Sequence, residues 1–270
     1  MLLSIRHVTH YRFDNPVAHG LQRLRLKPKP SHGQSVVDWH MQLDGVRFEA
    51  EYDDHNHNHT VLVSVLPGAA EVTITCSGSV QTADRAGIVG QHVGNLPLWA
   101  LLGQTPLTRP GARMRALAGG FARGDDPVGM LHRLSQAILG QVCYEAGRTQ
   151  ADTAAEEAMA AGAGVCQDHA HIFIGCARLL GVPARYVSGY LMMNDRIDQE
   201  AGHAWAEAHV AGIGWIGFDV SNGISPDERY VRVATGLDYR EAAPVTGLSY
   251  GAGDSDLCVR LAVEQQTAEQ

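Results

Sequence analysis

Long apolar runs are absent from this 270-residue sequence. The first residues reach Arg6 after a few apolar positions and then alternate with polar ones, so they lack the apolar stretch of a secretory signal peptide. No other segment approaches the length of a transmembrane helix. We therefore expect a cytoplasmic protein that does not bind a membrane.

Positive charge is also scarce. The chain has 21 Lys and Arg residues against 29 Asp and Glu, which gives a formal net charge of −8. A protein without an overall positive field is not drawn onto nucleic acid or an anionic membrane surface. We expect neither of them as a partner.

Paired cysteines are missing as well. The five cysteines are an odd number, are widely scattered and include no C-x-x-C pair: Cys76, Cys143, Cys166, Cys176 and Cys258. This pattern argues against a disulfide framework and against a zinc ribbon. We expect the cysteines to be reduced and most of them to be buried.

The first 84 residues consist of short segments, several with period-two alternation, broken by Pro, Gly, Asp and Asn. The candidate strands are LLSIRHVTHYRF, LQRLRLKP, VVDWHMQL, VRFEAEY, TVLVSVL and EVTITCSGSV. This spacing predicts an antiparallel sandwich over residues 1–84. Residues 85–126 are irregular and rich in Gly and Pro, which indicates a connector with one helix, and residues 127–265 are predicted to form a second domain.

The second domain opens with helical patterns. VGMLHRLSQAILGQV has apolar residues at helical spacing, and TAAEEAMA begins with a threonine at the N-cap position. A third helix is predicted to start at Gly164 and to end at Gly181, which Pro183 follows. Cys166 then lies in its first turn, on the apolar face that positions 170, 173, 177 and 180 share.

Cys166 could be a metal ligand, a buried filler or a nucleophile. In a helix His171 lies about 200° around the axis from His169, so the CxxHxH pattern cannot converge on zinc. The partial positive charge and free N–H groups of a helix N-terminus favour a thiolate. Without a base, however, a lone cysteine is most simply a small buried hydrophobe.

A candidate base lies in a predicted hairpin of HAWAEAHV, 203–210, and WIGFDVS, 215–221. A three-residue loop would pair Val210 with Gly214 and make Asp219 a same-face diagonal neighbour of His203, about 7–8 Å away. An even loop would put the two on opposite faces unless a bulge intervened. Because an unpaired carboxylate is costly to bury in an apolar strand, Asp219 needs a partner.

These residues suggest a catalytic triad. Cys166 would be the nucleophile, His203 the base that takes its proton, and Asp219 the acid that orients the imidazole ring. Trp205 and Trp215 flank the pair and are expected in the core or in a pocket wall. Asp168, in the first turn of the Cys166 helix, is expected to accept hydrogen bonds from backbone N–H groups or from a neighbouring segment.

The same residues resemble a known family. The runs GVCQDHAHIFIGCARLLGVPARYVSGYL and HAWAEAHVAGIGWIGFDVSNG resemble the catalytic core of the transglutaminase-like superfamily. HVTHYRFDNPV with LQRLRLKP resembles the N-terminal β-domain of the bacterial transglutaminase-like cysteine protease group, and GLDYREAAPVTGLSYG its C-terminal segment. The chain departs from the common pattern at His169, where an aromatic residue is usual, and in DVSN, where DPTN is frequent.

The resemblance implies an α+β fold: an N-terminal antiparallel β-sandwich-like domain, then a transglutaminase/papain-like core whose cysteine lies at a helix N-terminus packed on an antiparallel sheet. It also places the nucleophile, base and acid on Cys166, His203 and Asp219. The expected function is cysteine-dependent acyl transfer through a thioester on an amide or peptide bond of a protein or peptide substrate. Hydrolysis is favoured, and neither a cofactor nor a metal is expected.

Several alternatives remain open. The thioester could instead be resolved by an amine, as in a transglutaminase, or the fold could be a catalytically silent binding module. His55, His57 and His59 would share one face of a strand and could bind a metal, but an exposed turn is the preferred interpretation. GLSYG matches the G-x-S-x-G of serine hydrolases, yet no histidine follows it. The oligomeric state is left open.

Overall fold

The computed structural model describes residues 1–93, 96–121, 124 and 126–266. Its strands are β1 (Leu2–Phe13), β2 (His19–Leu24), β3 (Gln34–Asp44), β4 (Val46–Asp53), β5 (His59–Val65), β6 (Glu71–Thr82), β7 (Ile88–Gly90), β8 (Cys143–Tyr144), β9 (Ala163–Gly164), β10 (Ala184–Leu191), β11 (Asp198–Gln199), β12 (His203–Val210), β13 (Gly214–Phe218), β14 (Tyr230–Gly236), β15 (Val245–Tyr250) and β16 (Ser255–Gln265). Its helices are α1 (Ala112–Gly119), α2 (Pro127–Leu139), α3 (Ala155–Ala161), α4 (Cys166–Leu179) and α5 (Tyr239–Ala242), with a 3-10 helix at Leu98–Leu102.

The N-terminal region is a sandwich of two antiparallel sheets, as predicted. One sheet has the order β11-β16-β1-β6-β3 and the other β15-β2-β5-β4. Apolar side chains from both sheets share one core, among them Leu24, Val63, Ile74 and Cys76. All six strands that the alternation predicted between Leu2 and Thr82 are present.

The C-terminal strands correct the predicted domain boundary. β16 pairs with β1 and β15 pairs with β2, so residues 245–265 complete the N-terminal sandwich rather than the second domain. Without β16 and β15, strands β1 and β2 would each be an exposed edge of its sheet. The sequence pattern marked these segments as strands but carried no signal for their partners.

The second domain has a five-stranded antiparallel sheet of order β14-β10-β12-β13-β7. Helix α4 packs against it through a core that includes Phe173, Ala206 and Phe218. β8 and β9 form a separate two-residue parallel pair. Together the two regions give the expected α+β fold.

The predicted connector contains more structure than expected. It includes the 3-10 helix and α1, and β7 extends the sheet of the second domain through pairing with β13. The N-terminus of α1 is fixed from another part of the chain, because the Glu156 carboxylate accepts hydrogen bonds from the backbone N–H groups of Gly111, Arg113 and Met114. The described parts of this segment, β7, the 3-10 helix and α1, therefore pack as part of the second domain.

Helix boundaries shift slightly from the predicted positions. Ala154, not Thr153, is at the N-cap of α3, and the Thr153 hydroxyl accepts from the N–H of Gln150 instead. Val165, not Gly164, precedes α4. At the other end Gly181 has φ +68°, the left-handed conformation that glycine adopts readily after a helix. The predicted apolar stripe on α4 underestimates the buried surface of the helix, because all residues from 168 to 178 are buried.

The cysteines are all free, as expected, but fewer are buried than predicted. Cys76 and Cys176 are buried, Cys143 and Cys258 are exposed, and Cys166 is partly exposed. In the part of the chain that the structure describes, no helix combines the length and the apolar character that crossing a membrane requires.

The histidine-rich segment turns at residues 54–58, between the end of β4 at Asp53 and the start of β5 at His59. His57 has φ +55°, so the three histidines do not follow the strand period that a shared face needs. Among the described residues no three His, Cys, Asp or Glu side chains are grouped to hold a metal ion. The shared strand face on which the metal interpretation of His55, His57 and His59 depended is therefore not formed.

Candidate active site

Cys166 is the first residue of α4, and the segment before it is held firmly. β9 pairs with β8, and the carbonyl of Gly164 accepts from the N–H of Glu145 at 2.8 Å. The buried Asp168 carboxylate reaches back to accept from the Val165 N–H at 2.8 Å and from the Thr149 hydroxyl at 2.7 Å. Asp168 thus has the capping role predicted for it.

Gly164 is required by this arrangement. A Cβ atom at that position would lie 2.7 Å from Oδ2 of Asp168, closer than atoms of these types approach. The glycine lets the chain pass directly beside the carboxylate that fixes the start of α4. The thiol of Cys166 is consequently presented from a rigid helix N-terminus.

The hairpin of β12 and β13 has the register predicted from a three-residue loop. Val210 pairs with Gly214, and the ladder continues to Ala206 opposite Phe218. The strand is shorter than predicted, because it ends at Phe218 and Asp219 instead forms an isolated bridge with Ile224. Asp219 therefore lies at the start of a tight turn.

His203 and Asp219 are in contact. Nε2 of His203 lies 2.6 Å from Oδ2 of Asp219. The same carboxylate accepts from the Tyr230 hydroxyl at 2.7 Å, from the Asn222 side-chain amide at 2.7 Å and from the Asn222 backbone N–H at 3.2 Å. Asp219 is fully buried, and these partners offset the cost of burying its charge.

Tyr230 and Asn222 are partners that the sequence analysis missed. Asn222 belongs to the DVSN segment quoted above. Its contact with Asp219 could have been predicted, because an Asp at the start of a turn often accepts hydrogen bonds from residues further along the turn. Tyr230 lies on β14 and is brought to Asp219 only by the fold. No local sequence signal pointed to it.

The pKa values of the pair are moved in opposite directions. Burial alone would lower the pKa of His203, but hydrogen bonds to Asp219 and Cys166 and the negative charges of both outweigh it, so the pKa rises to about 10. Burial would raise the pKa of Asp219, yet the hydrogen bond and positive charge of His203, with Tyr230 and Asn222, lower it. The two shifts describe an imidazolium at His203 paired with a carboxylate at Asp219.

The three predicted residues are thus brought together. Because Nε2 of His203 is occupied by Asp219, Nδ1 is the nitrogen left for the Cys166 thiol. Trp205 is buried beside the pair, with its ring centroid 6.3 Å from that of His203. Trp215 lies elsewhere in the core, under the guanidinium of Arg185 at 3.8 Å.

His169 and Ser221, the positions at which the sequence departs from the common family pattern, are in contact. Nδ1 of His169 lies 2.8 Å from the Ser221 hydroxyl, and Nε2 lies 3.0 Å from the carbonyl of Val142. Since a carbonyl only accepts, Nε2 carries the proton and Nδ1 accepts from Ser221. Burial lowers the pKa of His169, in keeping with a neutral ring.

This contact joins α4 to the turn that carries Asp219. His171, on another side of α4, accepts from the backbone N–H of Tyr239 at 3.1 Å. The two histidines of the CxxHxH pattern therefore have separate partners, which agrees with the expectation that they do not converge on a metal.

A cleft of about 290 Å³ reaches both Cys166 and His203. Its walls come from both regions of the chain and are mostly apolar or aromatic. They include Tyr11, Leu257 and Val259 from the N-terminal sandwich and Tyr186, Val233 and Tyr239 from the second domain. A substrate that reaches the thiol would contact both regions.

Comparison with known proteins agrees with this architecture. Residues 115–220 match the core model of the transglutaminase-like superfamily, and residues 3–81 match the bacterial transglutaminase-like N-terminal region. An uncharacterized protein of Mycobacterium leprae (strain TN) is 26% identical over 272 residues, covering 95% of this chain and 96% of that protein. One of Mycobacterium tuberculosis (strain H37Rv) is 28% identical over 273 residues, covering 91% and 87%.

A solved structure shares the whole fold. A protein from Cytophaga hutchinsonii, described as a "Putative Cysteine Protease", superposes with a TM-score of 0.80 at 20% identity, covering 100% of this chain and 92% of that one. The chain therefore belongs to the transglutaminase-like superfamily, a family of cysteine-dependent enzymes, and carries the bacterial N-terminal region before the core.

Proposed function

We propose that this protein hydrolyses amide or peptide bonds through a thioester on Cys166. One observation carries the proposal: the His203 ring lies between the Asp219 carboxylate and a thiol at a helix N-terminus, inside an apolar cleft. A thiol, a base and an oriented acid are the groups that acyl transfer requires. The substrate would be a protein or peptide, and the cytoplasmic location expected from the sequence stays a prediction.

In the first half-reaction the Cys166 thiolate attacks the substrate carbonyl. The oxyanion of the tetrahedral intermediate would be stabilised by backbone N–H groups in the first turn of α4, which have no partner within the helix. The C–N bond then breaks as His203 gives its proton to the departing amine. The products are a free amine and a thioester.

In the second half-reaction neutral His203 takes a proton from water as the oxygen attacks the thioester. Breaking the C–S bond releases the acid, and the proton returns the Cys166–His203 pair to its starting state. The partly exposed thiol and the wide cleft allow water to reach this intermediate. We therefore favour hydrolysis of the thioester. Attack by an amine is the alternative reaction, which the turnover assay below measures.

Alkylation tests the thiolate directly. Iodoacetamide labelling of each cysteine is followed by peptide mass spectrometry against pH, with exposed Cys143 and Cys258 as comparisons within the same molecule. We expect Cys166 to react fastest, to keep reacting below about pH 7, and to lose this advantage in His203→Ala. Equal rates at the three cysteines would mean that no thiolate–imidazolium pair forms.

Turnover is tested with a library of peptide amides in the presence and absence of a primary amine. Wild-type protein should release the acid, and Cys166→Ala should be folded and inactive. Predominant transfer to the amine would make the enzyme a transglutaminase. Absence of both reactions, with Cys166 labelling at an ordinary rate, would favour a binding module.

A further inference from the structure

A second cavity lies apart from the active site. It has a volume of about 470 Å³ and is partly open to solvent. It lies between strands β10, β13 and β14 of the second domain, the segment 89–93, and two segments of the sandwich, residues 27–31 and 53–59. It shares no lining residue with the cleft at Cys166. Glu207 lies on β12, beneath this cavity. It is four residues along the strand from His203, a distance of roughly 13 Å.

The floor of this cavity carries two arginines that share one carboxylate. Nε of Arg185 and Nε of Arg232 each lie 2.6 Å from Glu207, and Nη2 of Arg232 adds a third contact at 3.2 Å. Glu207 is fully buried, and the side chains of Arg185 and Arg232 are only 13% and 10% exposed. Two guanidinium groups against one carboxylate leave a net positive charge in a poorly solvated place.

The geometry of Arg185 is fixed. Its guanidinium carbon lies over the Trp215 ring, 3.8 Å from the centroid, and Nε is held by Glu207. Its two Nη groups make no hydrogen bond to any residue that the structure describes. They therefore remain available as a pair of donors at the cavity wall, the arrangement in which arginine recognises phosphate and carboxylate groups.

Of the two lysines that line the cavity, Lys27 adds to the positive charge and Lys29, at neutral pH, does not. Nζ of Lys29 is buried and its acceptors are all neutral: the carbonyl of Asn56 at 2.6 Å, Oδ1 of Asn58 at 3.0 Å and the hydroxyl of Thr235 at 3.0 Å. Burial, then the charges of Arg232 and Arg185, lower the pKa of Lys29 to about 6. Lys27 is exposed at the mouth and has no ion-pair partner among the described residues.

Asp53 is the acidic residue in the cavity lining. Its side chain is 66% exposed, so solvent screens its charge and it does not cancel that of the arginines. In a chain whose net charge is −8, a walled cavity with this excess of cations is a local exception. Buried charge without a counter-charge is costly, and a bound anion would offset that cost.

We propose that this cavity binds a small molecule carrying phosphate or carboxylate groups, whose oxyanion contacts Arg185, Arg232 and Lys27. The volume exceeds that of a single oxyanion, so the ligand has a body beyond its charged group. Binding there is independent of Cys166. It would tie the sandwich loops to the sheet of the second domain.

The test uses pyrophosphate and citrate as probes, with sodium chloride at matched ionic strength as the reference. Isothermal titration calorimetry on the full chain measures binding, and thermal unfolding measures the accompanying stabilisation. We expect at least one probe to bind and to raise the melting temperature above that in chloride. Preference for pyrophosphate would identify a phosphate ligand, and preference for citrate a carboxylate ligand.

Variants locate the binding. Lys27→Ala and Arg185→Gln should each weaken it about tenfold or more, whereas Arg23→Ala, which removes an exposed cation on β2 outside the cavity, should not. Lys27→Ala keeps the test valid if Arg185→Gln fails to fold. Cys166→Ala should bind like wild type, which separates this proposal from the proposed activity. The proposal is wrong if neither probe binds, if Arg23→Ala weakens binding as much as Lys27→Ala, or if Cys166→Ala abolishes it.

Discussion

His203 and Asp219 form a 2.6 Å hydrogen bond between Nε2 and Oδ2, although they are sixteen residues apart and lie on opposite sides of a hairpin. The bond occupies Nε2 of the ring and leaves Nδ1 as the nitrogen available to the Cys166 thiol. It also couples two opposite pKa shifts, with that of His203 raised and that of Asp219 lowered. The protonation of this pair should therefore govern the pH dependence of the site.

Asp219→Asn should lower activity and narrow its pH range. The amide is close in shape to the carboxylate but carries no charge, so the His203 pKa should fall from about 10 and the imidazolium should be lost at lower pH. The alkaline limb of the kcat/KM pH profile would then move to lower pH, and the rate of hydrolysis would fall by about 10²–10⁴-fold. Hydrolysis of a peptide amide and alkylation of Cys166, both measured against pH, check this.

Tyr230→Phe is the matched control for that variant. It removes one hydrogen bond to Asp219 and leaves the carboxylate charge in place, so the alkaline limb should move less. An unchanged pH profile in Asp219→Asn would show that the charge of Asp219 does not hold the imidazolium.

The contact of His169 with Ser221 should stabilise the fold measurably. Ser221→Ala leaves Nδ1 of the buried His169 ring without its donor, which should cost about 1–3 kcal/mol in the free energy of unfolding. A double-mutant cycle with His169→Phe isolates the pair, and we expect a coupling energy of about 0.5–3 kcal/mol from urea unfolding. Ser35→Ala, at an exposed position on β3, is the control. Additive effects of the two substitutions would mean that the contact contributes nothing.

The catalytic geometry was largely predictable because it depends on local rules. The loop of three residues sets the hairpin register, and the register places Asp219 within reach of His203. The helix that presents Cys166 is marked by its terminal glycine at 181. Both features are decided by a few adjacent residues, so the sequence permitted them, although it left an even loop open as the alternative.

Long-range pairings were not predictable in this way. Tyr230 lies on β14, which is not a neighbour of β13, the strand that ends just before Asp219, and alternation does not identify the position of a strand in its sheet. The return of β15 and β16 to the sandwich has the same cause. The turn at His57 was the preferred interpretation of its segment, and the alternative of a shared strand face fails because a left-handed residue interrupts the strand period.

Acid should destabilise the protein through His7. The ring is 4% exposed, bonds the Tyr190 and Thr9 hydroxyls, and burial lowers its pKa from 6.5 to about 4. Between about pH 4 and pH 6.5 the His7 ring binds a proton in the unfolded chain but not in the folded chain. The stabilisation is therefore full above pH 6.5 and is lost as the pH falls toward 4, at up to about 1.4 kcal/mol per pH unit.

Urea unfolding at several pH values measures this effect. His7→Gln keeps hydrogen-bonding groups but cannot be protonated, so the fall in stability with acid should be less steep than in wild type. His40→Gln, at an exposed position on β3, should leave the slope unchanged. Equal slopes in wild type and His7→Gln would assign the acid sensitivity to other groups, such as buried His171, whose pKa burial lowers to about 3.

The apolar cleft should select substrates with apolar side chains near the scissile bond. Leu257 on β16 forms part of its wall and is 56% exposed, so Leu257→Glu can be made without disturbing the core. A substrate side chain would have to desolvate the new carboxylate, and we expect kcat/KM for apolar peptides to fall about tenfold. Alkylation of Cys166 by iodoacetamide, which needs no such contact, should be unchanged. Leu248→Glu, at a 68% exposed position on β15 outside the cleft, is the matched control, and an equal loss in both variants would show that the sandwich wall does not contact the substrate.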